Sequence, residues 1–251
     1  IYTGEDTLSL HDALPILVVQ DPFTSYYDAP VVRDLILLIE KLGFRPVLLP
    51  FKPNGKPQHI KGFLKNFART AANAAQFFNR LHHLGLPMVG PDPAMVLCYR
   101  DEYAKALGDA RGEFNVLLPQ EWLLEVIATE QPVARSERPE FYLLAHCTEK
   151  TVKPSTHGDW GKLFAHFGGE LKAVAVGCCG MAGTFGMELE HVAESRQMAN
   201  LALIPAIAAE PEALILCNGM SCRHQIAILS GREPVHLVTL LARQLLPQVG
   251  A

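Results

Sequence analysis

The chain has no apolar run of the ~18 residues that a membrane-spanning helix needs. Its longest candidate, LALIPAIAAEPEALILC, is broken by Pro205, Glu210 and Pro211. There is no excess of basic residues either: 22 Lys and Arg stand against 26 Asp and Glu, for a net charge of −4. That balance removes the electrostatic case for a nucleic-acid partner. No secretory leader is recognisable, because the first residues lack both a basic end and a continuous apolar core. Six cysteines without such a leader argue for a reducing, cytoplasmic compartment and metal ligation, not for a disulfide framework. Finally, no two cysteines are spaced Cys-x-x-Cys, the knuckle on which structural zinc sites are built. What remains is a chain of 251 residues, 49% hydrophobic, enough for one large domain or two small ones.

The opening residues, IYTGEDTLSLHDALPI, fit nothing that follows. Residues 6–16 look like a short-read sequencing adapter translated in frame, and 1–16 are set aside as an artefact of that kind, against the rival reading of a natural linker.

From there strands and helices alternate. LPILVVQD, RPVLLPF and LPMVG read as strands, each an apolar run stopped by turn residues. Between them the spacing predicts helices over 31–43 and 59–83, the second with Phe63, Phe67, Ala71, Ala74 and Phe78 on one face. DPAMVLCYRDEYAKAL predicts a third helix. Residues 108–140 read as a linker holding an edge strand (FNVLL) and a helix (PQEWLLEVIA). The pattern then begins again: FYLLAH, LKAVAVG and ALILC as strands, with helices near 159–167, over 188–208, from Met220, and over PVHLVTLLARQLL. Asp21 aligns with Cys147, Gly55 with Gly180, and Cys98 with Cys222, at offsets of 126, 125 and 124. Such agreement predicts an internal repeat. The expected fold is α/β, two pseudo-symmetric repeats (17–107 and 141–251), each a small parallel sheet flanked by helices.

The second copy carries the chemistry. GCCGMAGTFG, residues 177–186, sets Cys178 beside Cys179 and strips side chains from the backbone with four glycines. Cys147 follows one strand, and Cys217 and Cys222 follow another. In a parallel α/β sheet the loops after the strands share one edge, so thiolates from three loops converge as in a soft-metal site. Zinc is the weaker metal reading, since adjacent cysteines strain tetrahedral geometry. A vicinal dithiol redox centre and plain core thiols are two more readings of the same residues. The first copy has Asp21, Pro53 and Asn54 where the second has cysteines, so it is expected to hold no cluster.

CCGMAGTFG together with GMSCRHQI resembles the cysteine-rich CCG domain of heterodisulfide reductase B subunits and of FAD-linked oxidases. In particular it resembles the C-terminal iron–sulfur region of bacterial FAD-linked D-2-hydroxyacid dehydrogenases of the D-lactate and D-2-hydroxyglutarate type, over Leu17 to about Leu246. The resemblance implies a [4Fe–4S] cluster, for which Cys147, Cys178, Cys179 and Cys222 supply one thiolate per iron. Cys222 is expected in the first turn of a helix, where the N-terminus favours the thiolate and lowers its pKa. Many such domains end in Cys-x-x-Cys. Here Gly219 takes the first of those places and Cys217 lies two residues earlier, leaving Cys217 either a fifth ligand or a buried apolar residue. Gly180 and Gly183 would bring backbone close to the cluster, and Arg223 and His224, with His146 and Lys150, would raise its potential or serve as ordinary pairs and caps. Cys98 reads as core. Tyr26, Tyr27, Lys56, His59 and Lys61 read as polar surface, or as a contact for an upstream domain.

By the same resemblance the chain is an electron relay. In the whole enzyme a flavin would oxidise a D-2-hydroxyacid and electrons would leave through iron–sulfur centres to a quinone or another carrier. The family's FAD domain and ferredoxin-like cysteine motifs are missing from this sequence. The chain therefore looks like a fragment, catalytically incomplete alone, with the upstream FAD domain as its partner and a cytoplasmic or peripheral inner-membrane location. A subunit doing thiol–disulfide chemistry on its cluster, or a cluster-less scaffold, are the rival readings.

Overall fold

The computed structural model describes residues 13–183 and 185–246. The first half runs β1 (Pro15–Val18), α1 (Pro22–Tyr26), α2 (Ala29–Lys41), β2 (Arg45–Leu48), α3 (Lys56–Ile60), α4 (Leu64–His82), β3 (Met88–Val89), α5 (Pro93–Arg100), α6 (Glu102–Leu107), β4 (Val116–Leu117) and α7 (Pro119–Ile127). The second runs β5 (Glu140–Leu143), α8 (Cys147–Val152), α9 (Thr156–His166), β6 (Glu170–Ala173), α10 (Val192–Ala208), β7 (Ile215–Leu216), α11 (Met220–Ser230) and α12 (Leu237–Leu240), the last continued by a π turn over Leu241–Leu245. All strand pairs are parallel, in the orders β2-β1-β3-β4 and β6-β5-β7. The fold is thus α/β, with two small parallel sheets flanked by helices.

The strand order is the same in both halves. Register sets the correspondence: Val18 pairs with Leu48 and Val89, and Leu143 pairs with Ala173 and Leu216. Val18 and Leu143 are therefore equivalent, 125 apart in number. Gly55 and Gly180 keep that offset and share φ = +81°, a left-handed conformation that a side chain opposes.

Register also corrects two pairings. Asp21 lies three residues beyond Val18 and caps α1; its partner is His146, three beyond Leu143, which caps α8. Cys147 instead matches Pro22. Likewise α5 is capped by Asp92 and α11 by Gly219. Cys222, three residues past its cap, falls on Met95, and Cys98, six past its cap, falls on Gln225. A helix tolerates a one-turn slip in apolar pattern, which is why Cys98 aligned with Cys222 by sequence.

Other boundaries move as well. The helix expected over 59–83 is two, broken at Gly62 with φ = +76°. Residues 108–140 are more than a linker: β4 adds a fourth strand to the first sheet, and α7 packs on α9. The second half repeats this in reduced form, with a bridge from Leu216 to Val235 followed by α12. Strand β1 begins at Pro15, and Ile16 is buried, so two residues assigned to the foreign leader belong to the sheet. Leu14 before them is exposed and accepts from Arg45 N through its carbonyl, and residues 1–12 of that leader lie outside the described residues.

The halves exchange helices. α2 packs on α12, and its counterpart α9 packs on α7, the counterpart of α12. α2 earns this position by its apolar stripe, Val31, Val32, Leu35, Leu38 and Ile39, all buried. Asp34, on the same helix, accepts from Thr239 Oγ1 at 2.7 Å and from Arg243 Nε at 2.8 Å. One apolar cluster consequently contains Ile16, Leu35 and Trp122 from the first half and Phe141, Trp160 and Leu241 from the second.

Not every glycine is required. Gly161 lies inside α9, lacks a positive φ, and a Cβ there would meet nothing within 4 Å. Gly161→Ala is expected to stabilise the protein by about 0.5–1 kcal/mol through the lost entropy of the unfolded chain. The midpoint of urea unfolding checks it; a lower midpoint means the helix does not tolerate the methyl.

Candidate metal centre

The site begins with two backbone facts. β5 and β7 end side by side, so the loops that follow them open on one edge of the second sheet. The residues three beyond the paired positions are His146 and Gly219. A Cβ on Gly219 would come within 2.4 Å of the His146 ring, so glycine there makes room for the imidazole. His146 Nδ1 accepts from Thr148 N at 3.2 Å, which starts α8 and aims Cys147 outward. Burial pushes the histidine's pKa down.

The loop after β6 brings Cys178 and Cys179. Its shape is fixed at Gly180, whose backbone lies so close to α10 that an added Cβ would stand 2.1 Å from Ser195 O. Gln225, from α11, ties this region together: its Nε2 donates to Cys179 O at 3.2 Å and to Ser195 Oγ at 2.9 Å. Gly180 N in turn donates to Cys178 Sγ at 3.3 Å.

Cys147, Cys178, Cys179 and Cys222 all line one cleft of about 270 Å³. Cys179 Sγ and Cys222 Sγ are 3.0 Å apart. Cys147 has Cys178 and Cys179 as neighbours, and with burial they push its thiol pKa up. Cys222 is crowded between Cys179 and Cys217, and hydrogen bonding to both, with burial, raises its pKa well above the usual thiol value, while the contact with Cys222 lowers that of Cys179. In the free thiols, sulfur neighbours and burial act on Cys222 against the helix dipole at its third helical position. A metal reverses that order, because a coordinating thiol is deprotonated outright.

The other candidates separate cleanly. Cys217 is buried behind the end of β7, beside Cys222 and 3.9 Å from Gly219 O, and is not among the side chains lining the cleft. Cys98 is buried in the first half's core, and burial pushes its pKa up. Gly183 lines the cleft, but its Cβ position faces Ile60 of α3, so its bareness serves packing between the halves. Arg223 does not reach the thiols: Nη1 donates to Cys217 O and Asn218 O, both at 2.7 Å, and Nη2 pairs with Asp28 of the first half. It braces the loop that presents Cys222. His224 follows two residues after Cys222, about 200° round the helix, and is exposed. Lys150 donates to Val176 O at 3.1 Å.

The first half forms the opposite wall, with Phe23, Lys56, Ile60, Asp92, Ala94 and Met95. Lys56 is paired with Glu102, and Lys61 with Glu188, whereas Tyr26 and Tyr27 are exposed. Asp92 as a wall residue escaped the sequence reading, although a signal existed. Asp21-Pro22 and Asp92-Pro93 each follow an apolar strand, the pattern of a capped helix start at a sheet edge.

Four thiols on a common cleft fit an iron–sulfur cluster by the chemistry of the donor set. No zinc knuckle is present among the described residues.

No family model matches the chain. It is 53% identical over 229 residues to the D-2-hydroxyglutarate dehydrogenase of Escherichia coli (strain K12), covering 91% of this chain and 22% of that protein. The protein of the same name from Pseudomonas putida is 41% identical over 221 residues, 88% of this chain and 21% of that one. A subunit of the anaerobic glycerol-3-phosphate dehydrogenase of Escherichia coli (strain K12) is 25% identical over 228 residues, 89% of this chain and 57% of that one. The chain is therefore similar to D-2-hydroxyglutarate dehydrogenases and spans about a fifth of the length of those relatives.

Proposed function

We propose that this chain is an electron-relay module of an FAD-linked D-2-hydroxyacid dehydrogenase. In this reading Cys147, Cys178, Cys179 and Cys222 hold one [4Fe–4S] cluster. The observation that carries it is the meeting of these four thiols on one cleft. The name of the relatives supports a D-2-hydroxyacid as the substrate of the whole enzyme, oxidised by a flavin outside this chain, with a quinone or another carrier as acceptor. When bound, such a cluster supplies one-electron transfer. The chain's own residues do the rest. His146 and Gln225 fix the loops that carry the sulfurs, Arg223 braces the Cys217–Asn218 turn, and the wall from the first half limits water.

Anaerobic reconstitution with iron and sulfide tests the reading. About four irons and four sulfides per chain are expected, with a broad visible thiolate-to-iron absorption that bleaches on reduction. Cys217→Ser is expected to keep both, at a cost of about 1 kcal/mol for a hydroxyl in a small apolar site. Disulfide reductase activity of the reconstituted chain would favour the thiol–disulfide reading, and failure to bind iron would leave a scaffold.

A further inference from the structure

The mechanism above leaves two buried carboxylates unused. Asp21 and Asp92 are 2% and 3% exposed, and neither has a salt-bridge partner among the described residues. Register puts them together. Val18 and Val89 pair across adjacent strands, and each aspartate stands three residues beyond its valine, at the same edge. They occupy in the first half the places that His146 and Gly219 occupy in the second. Asp21 accepts from Phe23 N at 2.8 Å and Thr24 N at 2.9 Å, and Asp92 accepts from Met95 N at 3.1 Å. Asp92 also lines the cleft shared by the four cysteines.

The surroundings do not neutralise the pair. Asp92 is faced by Asp21, by Glu149 of α8 and by Arg223 of α11, that guanidinium being already held by Asp28, and Asp21 is also faced by the buried phenol of Tyr99 on α5. Lys56 shares the cleft but is committed to Glu102; His146, which shares it, and His236, close to Pro91, are both pushed toward the neutral form by burial. Burial, and for Asp21 the neighbouring Asp92, hold both carboxyls well above the ordinary range.

We propose that Asp92, backed by Asp21, is a proton-binding site coupled to electron arrival at the cysteine cleft. The inference rests on the cluster reading given under Proposed function. An electron delivered from the upstream flavin adds negative charge to the cleft and raises the cost of an ionised carboxylate on its wall. The pair takes one proton from solvent as the electron arrives and returns it when the electron leaves. The carboxyl O–H forms as an O–H of a solvent hydronium breaks, and the reverse returns the proton to solvent. Linkage makes the effect reciprocal: a protonated pair holds the electron more tightly. The half without ligands would then supply the proton-binding partner of the half that has them.

The midpoint potential of the reconstituted chain, measured by mediated titration between about pH 5 and 8, tests this. It is expected to fall with pH by up to ~59 mV per unit, one proton per electron. In Asp92→Asn the slope should shrink to less than a third. Asparagine keeps the cap of α5, since its amide oxygen accepts from Met95 N. Asp21→Asn should flatten the slope in the same direction and is the second variant should the first fail to fold. A potential that does not move with pH in the unsubstituted chain overturns the inference alone, as does an unchanged slope in both variants. Absence of bound iron overturns the cluster reading together with it.

Discussion

Cys222→Ser should lose most of its iron and sulfide after anaerobic reconstitution, together with the visible absorption, while its far-ultraviolet circular dichroism stays that of the parent. Cys222 projects from the first turn of α11 into the cleft, with its sulfur 3.0 Å from that of Cys179. No other thiol can take its place. Cys217 is the nearest spare, but it is 1% exposed behind the end of β7, and Arg223 fixes its carbonyl. Moving that sulfur into the cleft would unpair the bridge from Leu216 to Val235, since Cys217 N donates to Val235 O at 3.0 Å. A serine oxygen is a poor ligand for iron in a sulfur-rich site. Structurally the change is mild: one buried sulfur becomes an oxygen of similar shape, at a cost of about 1–3 kcal/mol. If Cys217→Ser empties the site while Cys222→Ser does not, the fourth ligand has been assigned to the wrong residue.

Gly180→Ala should be the most damaging single methyl in the chain, at about 3 kcal/mol or more. Alanine at φ = +81° costs roughly 1–2 kcal/mol by itself. The added carbon would also stand 2.1 Å from Ser195 O and 2.9 Å from Ser195 Cα, atoms of the α10 backbone that cannot turn aside. Overpacking of that kind typically costs about 1–3 kcal/mol more. Gly55 provides the control. It has the same φ and the same place in its repeat, but its Cβ would meet Phe67 Cδ2 at 2.9 Å and Thr70 Cγ2 at 3.3 Å, side-chain atoms that can shift. Gly55→Ala should therefore cost visibly less. Chemical unfolding of the two variants measures the difference, and equal losses would mean that the α10 backbone yields.

The alternation of strand and helix, and the duplication of the unit, were legible in the sequence because each strand is an apolar run closed by turn residues. The cysteine loop was legible too, since parallel strands deliver their following loops to one edge whatever the details of packing. Three things were not. The short helix after Cys147 has no apolar periodicity to announce it; it forms because His146 caps it. The registration of Cys98 on Cys222 failed because pattern matching within a helix is blind to a one-turn slip, and only the capping residues Asp92 and Gly219 resolve it. The role of the first half as a wall of the cleft depends on contacts between distant segments, such as Arg223 with Asp28 and Ile60 over Gly183. Nothing local in Arg223-His224 says that one residue braces a loop and the other faces water; helical phase decides it.

The exchange of helices between the halves also fixes an order of events during synthesis. The buried stripe of α2 is complete only when α12 lies on it, and Asp34 finds Thr239 and Arg243 more than two hundred residues later. Contacts of such long range are slow to close, and a chain emerging from the ribosome meets them last. The first half therefore waits, with Val32, Leu35 and Leu38 short of their full cover, until α12 and the turn after it have emerged. The cysteine cleft, walled by both halves, is assembled no earlier. In the cluster reading proposed above, iron delivered before then would meet thiols on separate loops, so loading is expected to follow the docking of α12.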